Sequence, residues 1–354
     1  MNKTLKTILK AVLGVLIALV VVALGYLVYV FADYYRLDDN IKLEVSGNVT
    51  DKANAEKEFS IMTWNIGFGA YSDDYTFFMD GGKESRAFSK EAAIDNTEAM
   101  AKRMEEENPD FIIIQEIDTN ATRSYHVDER EIIKPHIKNY NTDFAQNYDS
   151  PYLFYPIFRP HGKSVAGIMT CSKYKMENAV RRSLPIETGF TKFLDLDRCY
   201  SVSEVPLSNG KILYIYNMHL SAYTSDGTIA NEQLKMLVDD MKEKYDAGNY
   251  IVCGGDFNKD VLGDSSKVFG IENPGYTWAQ PIPDGIIPGW LSVVTGSNAP
   301  SCRNPDKPYD ETNFVLTVDG FIISDNVEMT NVEVLNERFA HSDHNPVKMT
   351  FKLK

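Results

Sequence analysis

The stretch from Tyr250 to Asp260, YIVCGGDFNKD, brings a carboxylate and an amide to the end of an apolar run. Its first four residues predict a buried strand, and the glycine pair that follows permits a sharp turn. Asp256 and Asn258 then stand two residues apart, where a strand can hold them at the edge of a crevice. The same residue types also form ordinary polar turns, so this stretch by itself leaves a catalytic pair and a simple turn open.

Polar side chains follow several other apolar runs in the same way. Five runs end in a residue that can bind a metal ion or a phosphate, and a further polar pair precedes the last run. These residues are Asn65, Glu116, Asn217 with His219, Asp256 with Asn258, Asp319, and Asp343 with His344. Unpaired acids seldom border buried strands, so we expect one shared rim rather than separate surface acids.

The elements that would position these residues alternate between strands and helices. Apolar or alternating runs predict strands at 59–64, 110–115, 164–172, 190–196, 198–206, 211–216, 250–253, 313–318, 321–324, 332–335 and 347–353. Apolar stripes at helical spacing predict helices over 90–107 and 232–245, with a weaker pattern over 129–136. A helix followed by a fully apolar strand is typical of α/β proteins.

Six short motifs carry a resemblance to a known family. They are TWNIG, IIQEID, NMHL, GGDFN, VDGFIIS and SDHNPV, and in this order they span residues 59–351. The chain resembles the endonuclease/exonuclease/phosphatase family, which contains pancreatic-type deoxyribonucleases, AP endonucleases, neutral sphingomyelinases and inositol-polyphosphate 5-phosphatases. The resemblance covers neither the N-terminal apolar segment nor the stretch 261–312, which is rich in Pro and Gly and is a candidate specificity loop.

The resemblance implies an α/β (α+β) domain in which two packed, mixed β-sheets are flanked by helices, a four-layer sandwich of the deoxyribonuclease I type. It also implies metal-dependent hydrolysis of a phosphoric ester at the rim that the two sheets share. By position Glu116 matches the main Mg²⁺ ligand, with Asn65 in support and Asp343 as a further ligand or a support for its neighbour His344. A hard cation such as Mg²⁺, for which Mn²⁺ could substitute, prefers oxygen ligands of this kind.

The resemblance also implies catalytic roles. His344 matches the catalytic histidine, and Asp319 matches the carboxylate that orients it. Asp256 would position or deprotonate the attacking water. Hydrogen bonds to the charge that develops on the phosphoryl oxygens would come from Asn258, Asn217 and His219. Which group takes the proton, and whether one or two metal ions act, stays open at this point.

One arginine beyond the second motif is a candidate substrate ligand. Arg123 lies in TRSYHVDERE and could bind a phosphate with both arms of its guanidinium. A surface salt bridge is an equally good interpretation, because exposed arginines are commonly just solvated. Other polar residues between the motifs are interpreted as structural or solvent-facing, namely Tyr125, His126, Arg159 and His161.

The N-terminus predicts a membrane anchor. Three lysines within residues 1–10 precede an uncharged run at 11–32, whose 22 residues would extend about 33 Å as a helix, the thickness of a bilayer's hydrocarbon core. The lysines place residues 1–10 in the cytoplasm and the chain after the run outside the cell membrane. A signal peptide cleaved after Ala32 is the alternative, and the length of the run favours an uncleaved signal-anchor. Residues 33–57 would then be a tether and residues 58–354 the catalytic domain.

The charge of the exported part limits its substrates. The chain has a net charge of −14, and because its first 36 residues carry +3, the remainder carries −17. Such a domain lacks the basic surface that tight, non-specific nucleic-acid binding requires, although a divalent metal can offset charge at one site. Nucleic acid, a phospholipid and a small phosphate ester stay open as substrates. Anchoring at a lipid surface favours a lipid phosphodiesterase of the sphingomyelinase type, and no protein partner is predicted.

Two remaining observations concern whether the chain is an enzyme at all and what state its cysteines adopt. A catalytically inactive binding protein on the same fold is the non-enzymatic alternative, which the complete set of polar strand ends disfavours. The four cysteines show no metal-ligand spacing, and a buried free thiol is expected at least for Cys253.

Overall fold

The structure is a computed structural model that describes residues 2–189, 192, 196–222, 228–272 and 278–354. Its helices are α1 (Lys3–Asp33), α2 (Lys90–Glu107), α3 (Glu129–Ile133), α4 (Thr228–Asp246) and α5 (Ser265–Phe269). Its strands are β1 (Ile41–Lys42), β2 (Phe59–Asn65), β3 (Phe111–Asp118), β4 (Asn141–Asp149), β5 (Val165–Ser172), β6 (Glu177–Ser183), β7 (Cys199–Pro206), β8 (Ile212–His219), β9 (Tyr250–Asp256), β10 (Leu291–Val294), β11 (Cys302–Arg303), β12 (Val315–Leu316), β13 (Asp319–Ser324), β14 (Val327–Val334) and β15 (Val347–Leu353).

Two mixed sheets pack face to face. The first has the strand order β1-β6-β7-β8-β9-β13-β10, and the second has the order β14-β15-β2-β3-β5-β4. Each contains one parallel pair, β8 with β9 and β2 with β3, and a helix makes each of these two crossovers. The predicted pair of mixed sheets flanked by helices is confirmed.

Apolar side chains explain the four layers. The space between the sheets is filled by fully buried residues of both, among them Ile61, Phe111, Ile113, Ile215, Val252 and Phe321. Leu234, Leu237 and Met241 of α4 cover the outer face of the first sheet. On the second sheet the same role belongs to Met100 and Met104 of α2. Each helix therefore buries the apolar stripe that its sequence predicted, largely against the sheet that it covers.

Strand register brings the polar strand ends to one edge. In the second sheet Asn65 pairs with Gln115, the residue before Glu116. In the first sheet His219 pairs with Asp256, and Asp256 pairs with Asp319. The candidate residues therefore meet because the carboxyl ends of the two parallel pairs lie at the same edge of the sandwich.

Five strands were not predicted from sequence, namely β4 and β6 and the shorter strands β1, β10 and β11. β4 alternates between buried and half-buried positions, but its buried set includes Asn141, Asp143 and Asn147. β6 likewise buries Arg181. Polar residues at buried positions remove the hydrophobic period on which a strand prediction depends. The strand predicted at 190–196 falls mostly outside the described residues.

The segment 33–57 differs from the expected free tether. From Arg36 onwards it packs on the domain, where the Arg36 guanidinium donates to the backbone carbonyl of Leu184. β1 pairs antiparallel with β6, and further backbone bridges form at Ser46 and Ala53. Its polar side chains hid these contacts, because the pairing is made by the backbone at the edge of a sheet.

The first helix extends beyond the predicted apolar run at both ends. Of its 31 residues only Val30 is buried, and none of its most apolar stretch is covered by the domain. By length and composition α1 is able to cross a membrane, which suggests a membrane anchor.

Asp143 on β4 provides a test of the sheet packing. Its side chain accepts a hydrogen bond from Ser203, its second carboxyl oxygen has no partner among the described residues, and burial raises the pKa to about 7. Below the unfolded pKa near 3.8 both states hold the proton. At higher pH only the folded state keeps it, up to about pH 7, so stability falls across this window.

We expect Asp143→Asn to change the free energy of unfolding more favourably at pH 8 than at pH 4.5. The reason is that the native carboxyl group loses about 1.4 kcal/mol of stability for each pH unit in the window, whereas asparagine does not titrate. Urea unfolding of the detergent-solubilised chain, followed by tryptophan fluorescence at both pH values, measures this. Asp239→Asn, an exposed change on α4, is the control and should show no such difference. An equal effect of Asp143→Asn at the two pH values would contradict the assignment.

Candidate active site

A single amide joins the two sheets at the site. The Asn65 side chain Nδ2 donates to Glu116 Oε1 at 3.1 Å in its own sheet and to Asp256 Oδ2 at 3.0 Å in the other. Its Oδ1 accepts from the backbone N of Gly67 at 3.0 Å, which fixes the amide in a turn. Asn65 therefore holds two carboxylates at a set separation.

Glu116 owes its direction to an irregularity in β3. The pairing of β3 with β5 shifts register between Ile114 and Ile117, and Glu116 has a φ of +56°. Bulges of this kind redirect one side chain out of the alternating pattern, and a non-glycine residue in this region is strained. The carboxylate is thereby turned toward the end of the sheet, where its side chain is 23% exposed.

Asp256 closes β9 with a turn of its own. Its Oδ1 accepts from the backbone N of Asn258 at 2.8 Å, and Asn258, with a φ of +46°, donates from Nδ2 to Leu220 O at 2.7 Å. Burial raises the pKa of Asp256 to about 7, an effect that the charge of His344 opposes and that of Asp319 reinforces. The buried carboxylate is thus a proton acceptor near neutral pH.

His344 and Asp319 form a buried pair. His344 Nδ1 lies 2.8 Å from Asp319 Oδ2, which also accepts from the Ser301 hydroxyl at 2.7 Å. Burial alone would lower the pKa of His344, but the Asp319 charge outweighs it and raises the pKa well above the usual range. His344 Nε2 then points toward Asp256 Oδ2 at 3.8 Å. The geometry is that of an oriented, positively charged imidazole.

His219 has the opposite electrostatic character. Burial, together with the positive charge of Arg198, lowers its pKa well below the usual range, so the ring is neutral. Its Nε2 lies 3.6 Å from Asp256 Oδ2 and 3.8 Å from Glu116 Oε1. Its Nδ1 is buried without a partner among the described residues. A neutral ring can donate a hydrogen bond to a phosphoryl oxygen without competing for the proton of water.

Asn217 does not line the cavity, and neither do Asn65 and Asp319, which act on it through the residues that they bind. Asn217 is fully buried between the sheets, where its Nδ2 donates to Met169 O at 3.0 Å and to Ile114 O at 3.3 Å, and its Oδ1 accepts from Gln115 at 2.8 Å. Its donors are therefore taken, and the expected contact with the phosphoryl group is wrong. Asn217 precedes His219 by two residues on β8, so the two side chains point to the same face of the sheet, but Asn217 lies deeper in the core.

Arg123 is neither a free phosphate ligand nor a surface ion pair. It is 6% exposed, stacks at 3.9 Å on the Phe68 ring, and binds Asp118 with two arms at 2.8 and 3.1 Å. It still lines the cavity. Its position therefore combines a structural ion pair with a face that a substrate could reach.

Sequence reasoning missed much of the cavity lining, including the basic residues Arg198, Arg303 and His161 and the acid Asp80. Arg303 is fully buried and donates to the carbonyls of Ser72 and Tyr75 at 2.9 and 3.1 Å. His161 had been interpreted as structural or solvent-facing, and its ring is buried against Ser85 O at 2.8 Å. No sequence signal distinguishes these residues from surface ones, since only tertiary packing brings them to the cavity.

The cavity itself is small and has an aromatic wall. Its volume is about 150 Å³, less than pockets that enclose a whole drug-sized ligand. Phe68, Tyr71 and Phe77 form one side, and residues of the stretch 261–312, including Trp278, contribute to the other. A cavity of this size suits a phosphate group and its nearest substituents, with the remaining substrate outside.

The donor set fits a hard divalent cation. Glu116, Asp256 and Asp343 line one cavity, and burial raises the pKa of Asp343 to about 7, with Glu116 adding to the rise. A doubly charged ion would offset this repulsion, and oxygen ligands suit such an ion. Asp256, Asp319 and His344 also place ligand atoms within 4.8 Å of one another. Because the bond between Asp319 and His344 already occupies Nδ1, that trio suits proton handling better.

The fold and site define a class of protein, the four-layer sandwiches with an acid-lined cavity at the shared sheet rim. The model of the Endonuclease/Exonuclease/phosphatase family matches residues 62–344, and the chain belongs to this family. Members of the family hydrolyse phosphoric esters and generally use divalent metals, so the chain is a phosphoric ester hydrolase by class.

Solved structures with the same fold share little sequence with the chain. An endonuclease/exonuclease/phosphatase from Beutenbergia cavernae DSM 12333 is 18% identical, with a TM-score of 0.60 over 84% of this chain and 72% of that one. A family protein from Leptotrichia buccalis C-1013-b is 12% identical, with a TM-score of 0.55 over 83% and 100%. ANGEL2, described as a 2′,3′-cyclic phosphatase, is 16% identical, with a TM-score of 0.52 over 88% and 98%. Among curated protein sequences none matches the chain.

We expect Arg123→Met to lower the free energy of unfolding by about 3–5 kcal/mol, because it leaves Asp118 buried without its partner. The double change with Asp118→Asn should recover part of the loss. The control is Arg130→Met, which removes a similar but half-exposed pair with Asp128 and should cost less than about 1 kcal/mol. Denaturant unfolding of the three variants and the unmutated chain measures these values, and similar losses for the two single arginine changes would contradict the assignment.

Proposed function

We propose that the protein is a membrane-anchored, extracytoplasmic, Mg²⁺-dependent phosphoesterase. The observation that carries the proposal is the convergence on one cavity of an acidic group, Glu116 with Asp343, and a proton-handling group, Asp256 with His344. Glu116 lies near the end of a strand of the second sheet and Asp256 ends a strand of the first, and Asn65 links these two carboxylates. Metal-assisted hydrolysis of a phosphate ester requires one group that binds the metal ion and another that handles the proton of the attacking water.

In this proposal Glu116 is the main metal ligand, and Asn65 and Asp343 support it. A bound Mg²⁺ would polarise the phosphoryl oxygens and neutralise part of their charge. Asn65 orients Glu116 through the 3.1 Å hydrogen bond, and the bulge in β3 keeps the carboxylate exposed to the cavity. The partial exposure of Glu116 leaves room for the waters that Mg²⁺ retains.

Asp256 accepts the proton of the attacking water. Its Oδ1 accepts from the backbone N of Asn258 and its Oδ2 accepts from the Asn65 amide, so Oδ2 is the atom that faces the two histidines and keeps a second lone pair for the water. That atom lies between His219 Nε2 and His344 Nε2, and burial has raised its affinity for a proton. A water bound there is positioned and activated at once.

His344, held as an imidazolium by Asp319, stabilises the negative charge that develops on the phosphoryl group. His219 and Asn258 add neutral donors at the same cavity wall. The cavity also carries the guanidinium groups of Arg123, Arg198 and Arg303, so an anionic phosphate meets positive charge on several sides. Fixed donors in a buried site act on the transition state without reorganising.

The substrate choice rests on charge and anchoring. The exported part carries a net charge of −17, and a membrane-capable helix precedes it. Both features support a lipid phosphodiester over nucleic acid, because a nuclease would need a basic path for the strand. A nuclease is the second candidate, since a TDP2 of D. rerio with the same fold, 14% identical and with a TM-score of 0.53, is described in complex with a single-strand DNA product.

The test uses the full chain in detergent micelles with bis-p-nitrophenyl phosphate as a generic diester. We expect Mg²⁺ to support turnover, Mn²⁺ to replace it and EDTA to abolish it. His344→Gln should lower kcat by at least about 100-fold, because the positive charge that stabilises the phosphoryl group is lost. Glu116→Gln should also be slow, but higher Mg²⁺ should restore part of its activity, whereas it should not rescue His344→Gln.

Two matched controls keep this test specific. His136→Gln changes a histidine outside the cavity, which lies between Glu98 and Glu105, and Glu56→Gln changes an exposed acid. Both should retain the activity of the unmutated chain. Full activity of His344→Gln, or turnover that EDTA leaves intact, would refute the proposal.

A further inference from the structure

An exposed apolar loop lies at the same end of the sandwich as the cavity. It connects β4 to β5, and β5 begins opposite Asp118, near the end of β3. Within five residues it exposes Phe154 by 56%, Tyr155 by 67%, Ile157 by 78% and Phe158 completely. Large apolar side chains are scattered singly on most soluble surfaces, so a group of four indicates a partner.

The loop is an ordered hairpin that is closed by hydrogen bonds at its base. Leu153 and Gly162 exchange two backbone hydrogen bonds of 3.1 and 3.0 Å at its base. Arg159 then ties it to the domain, because its guanidinium binds Glu84 at 2.7 Å and the carbonyl of Ala87 at 2.9 Å. The apolar tip, residues 154–158, is therefore held outward by its own base.

The loop also contacts the membrane helix α1. The Tyr26 hydroxyl donates to Tyr152 O at 3.0 Å, the Tyr29 hydroxyl accepts from Tyr152 N at 3.0 Å, and the Phe154 ring meets Tyr26 edge to face at 5.3 Å. Tyr26 precedes Asp33, the first charged residue after the apolar run, by seven residues, which is about 10 Å along a helix. The tip thus lies beside the apolar part of α1 and not beyond its end.

The tip is continuous with the cavity wall. Tyr155 packs on Phe78 with ring centroids 5.6 Å apart, and Phe78 packs on His161 at 6.1 Å. His161 and the neighbouring Met79 line the cavity, and Met79 is 55% exposed. A surface that covers the tip would therefore lie against the cavity rim as well.

We propose that residues 154–158 insert into the leaflet of the membrane nearest the C-terminal end of α1, and that the cavity thereby takes the phosphate ester of a membrane lipid. The inference rests on the proposed phosphoesterase function and names its substrate class. The depth set by Tyr26 identifies a bilayer as the occupant, and the net charge of −17 means that apolar insertion, not attraction to anionic lipid, holds the surface. A cavity of about 150 Å³ would admit the phosphate while the acyl chains stay in the bilayer.

The test places a fluorophore on the tip of the full chain in phosphatidylcholine nanodiscs. Phe158→Cys is labelled with an environment-sensitive dye, and the unmutated chain, whose four cysteines are buried, gives the background. Met329→Cys is the matched control: Met329 is an exposed apolar residue, 38% accessible, that pairs with Phe351 and through it with Phe59, at the end of the sandwich opposite the site.

Nitroxide-labelled lipid should quench the dye at position 158 at least about threefold more than the dye at position 329, because an inserted side chain lies at the depth of the acyl chains. Equal quenching at the two positions would overturn insertion. Protection from aqueous iodide without nitroxide quenching would mean that protein covers the loop, and would overturn it as well. Neither readout depends on turnover, so failure of the proposed activity is recognised separately.

A second measurement addresses the substrate class. The double change Ile157→Ser and Phe158→Ser should leave hydrolysis of soluble bis-p-nitrophenyl phosphate unchanged. It should lower phosphate-ester release from nanodiscs of phosphatidylcholine, phosphatidylglycerol and sphingomyelin by about tenfold, because the cavity no longer seats on the lipid surface. An unmutated chain that hydrolyses the soluble diester but none of these lipids, or a double variant that hydrolyses the lipids at full rate, would overturn the lipid assignment.

Discussion

The site depends on one amide that crosses between two sheets. Asn65 donates both of its Nδ2 hydrogens to carboxylates, Glu116 in its own sheet and Asp256 in the facing one. The buried carboxylate of Asp256 and the partly exposed carboxylate of Glu116 would repel each other, and a shared neutral donor reduces that cost without neutralising either. The amide is in turn fixed by the turn at Gly67. The relative position of the sheets at this edge therefore sets the separation of Glu116 and Asp256.

Around this amide the protein buries several titratable side chains close together, and their pKa values are shifted as a result. Burial raises the pKa of Asp256 and of Asp343, while Asp319 keeps His344 charged and His219 is neutral. The backbone strain at Glu116, which has a positive φ, occurs at the same site. Violations of ordinary packing rules collect at functional sites, where a substrate or a cation resolves them. The arrangement fits a family whose members hydrolyse phosphoric esters.

The N-terminal helix and the domain are connected more closely than a tether would allow. Residues after Arg36 add a strand to the first sheet, and the tyrosines near the end of α1 bond to the loop between β4 and β5. These contacts limit how far the cavity can move from the helix end.

The sequence by itself determined the two mixed sheets, the covering helices α2 and α4 and the family, because apolar periodicity and six motifs are local properties that a linear chain displays. It also marked the strand ends from Asn65 to His344, since strand termini are where such residues stand out. Only the tertiary structure decided which of them share the cavity: Asn217 points into the core, whereas Arg198, Arg303 and His161 join the site. The strands β1, β4 and β6 were likewise not predicted from sequence, because pairing at sheet edges and buried polar contacts stabilise them. Burial, partner choice and the approach of loops are set by residues distant in sequence, and no local pattern records them.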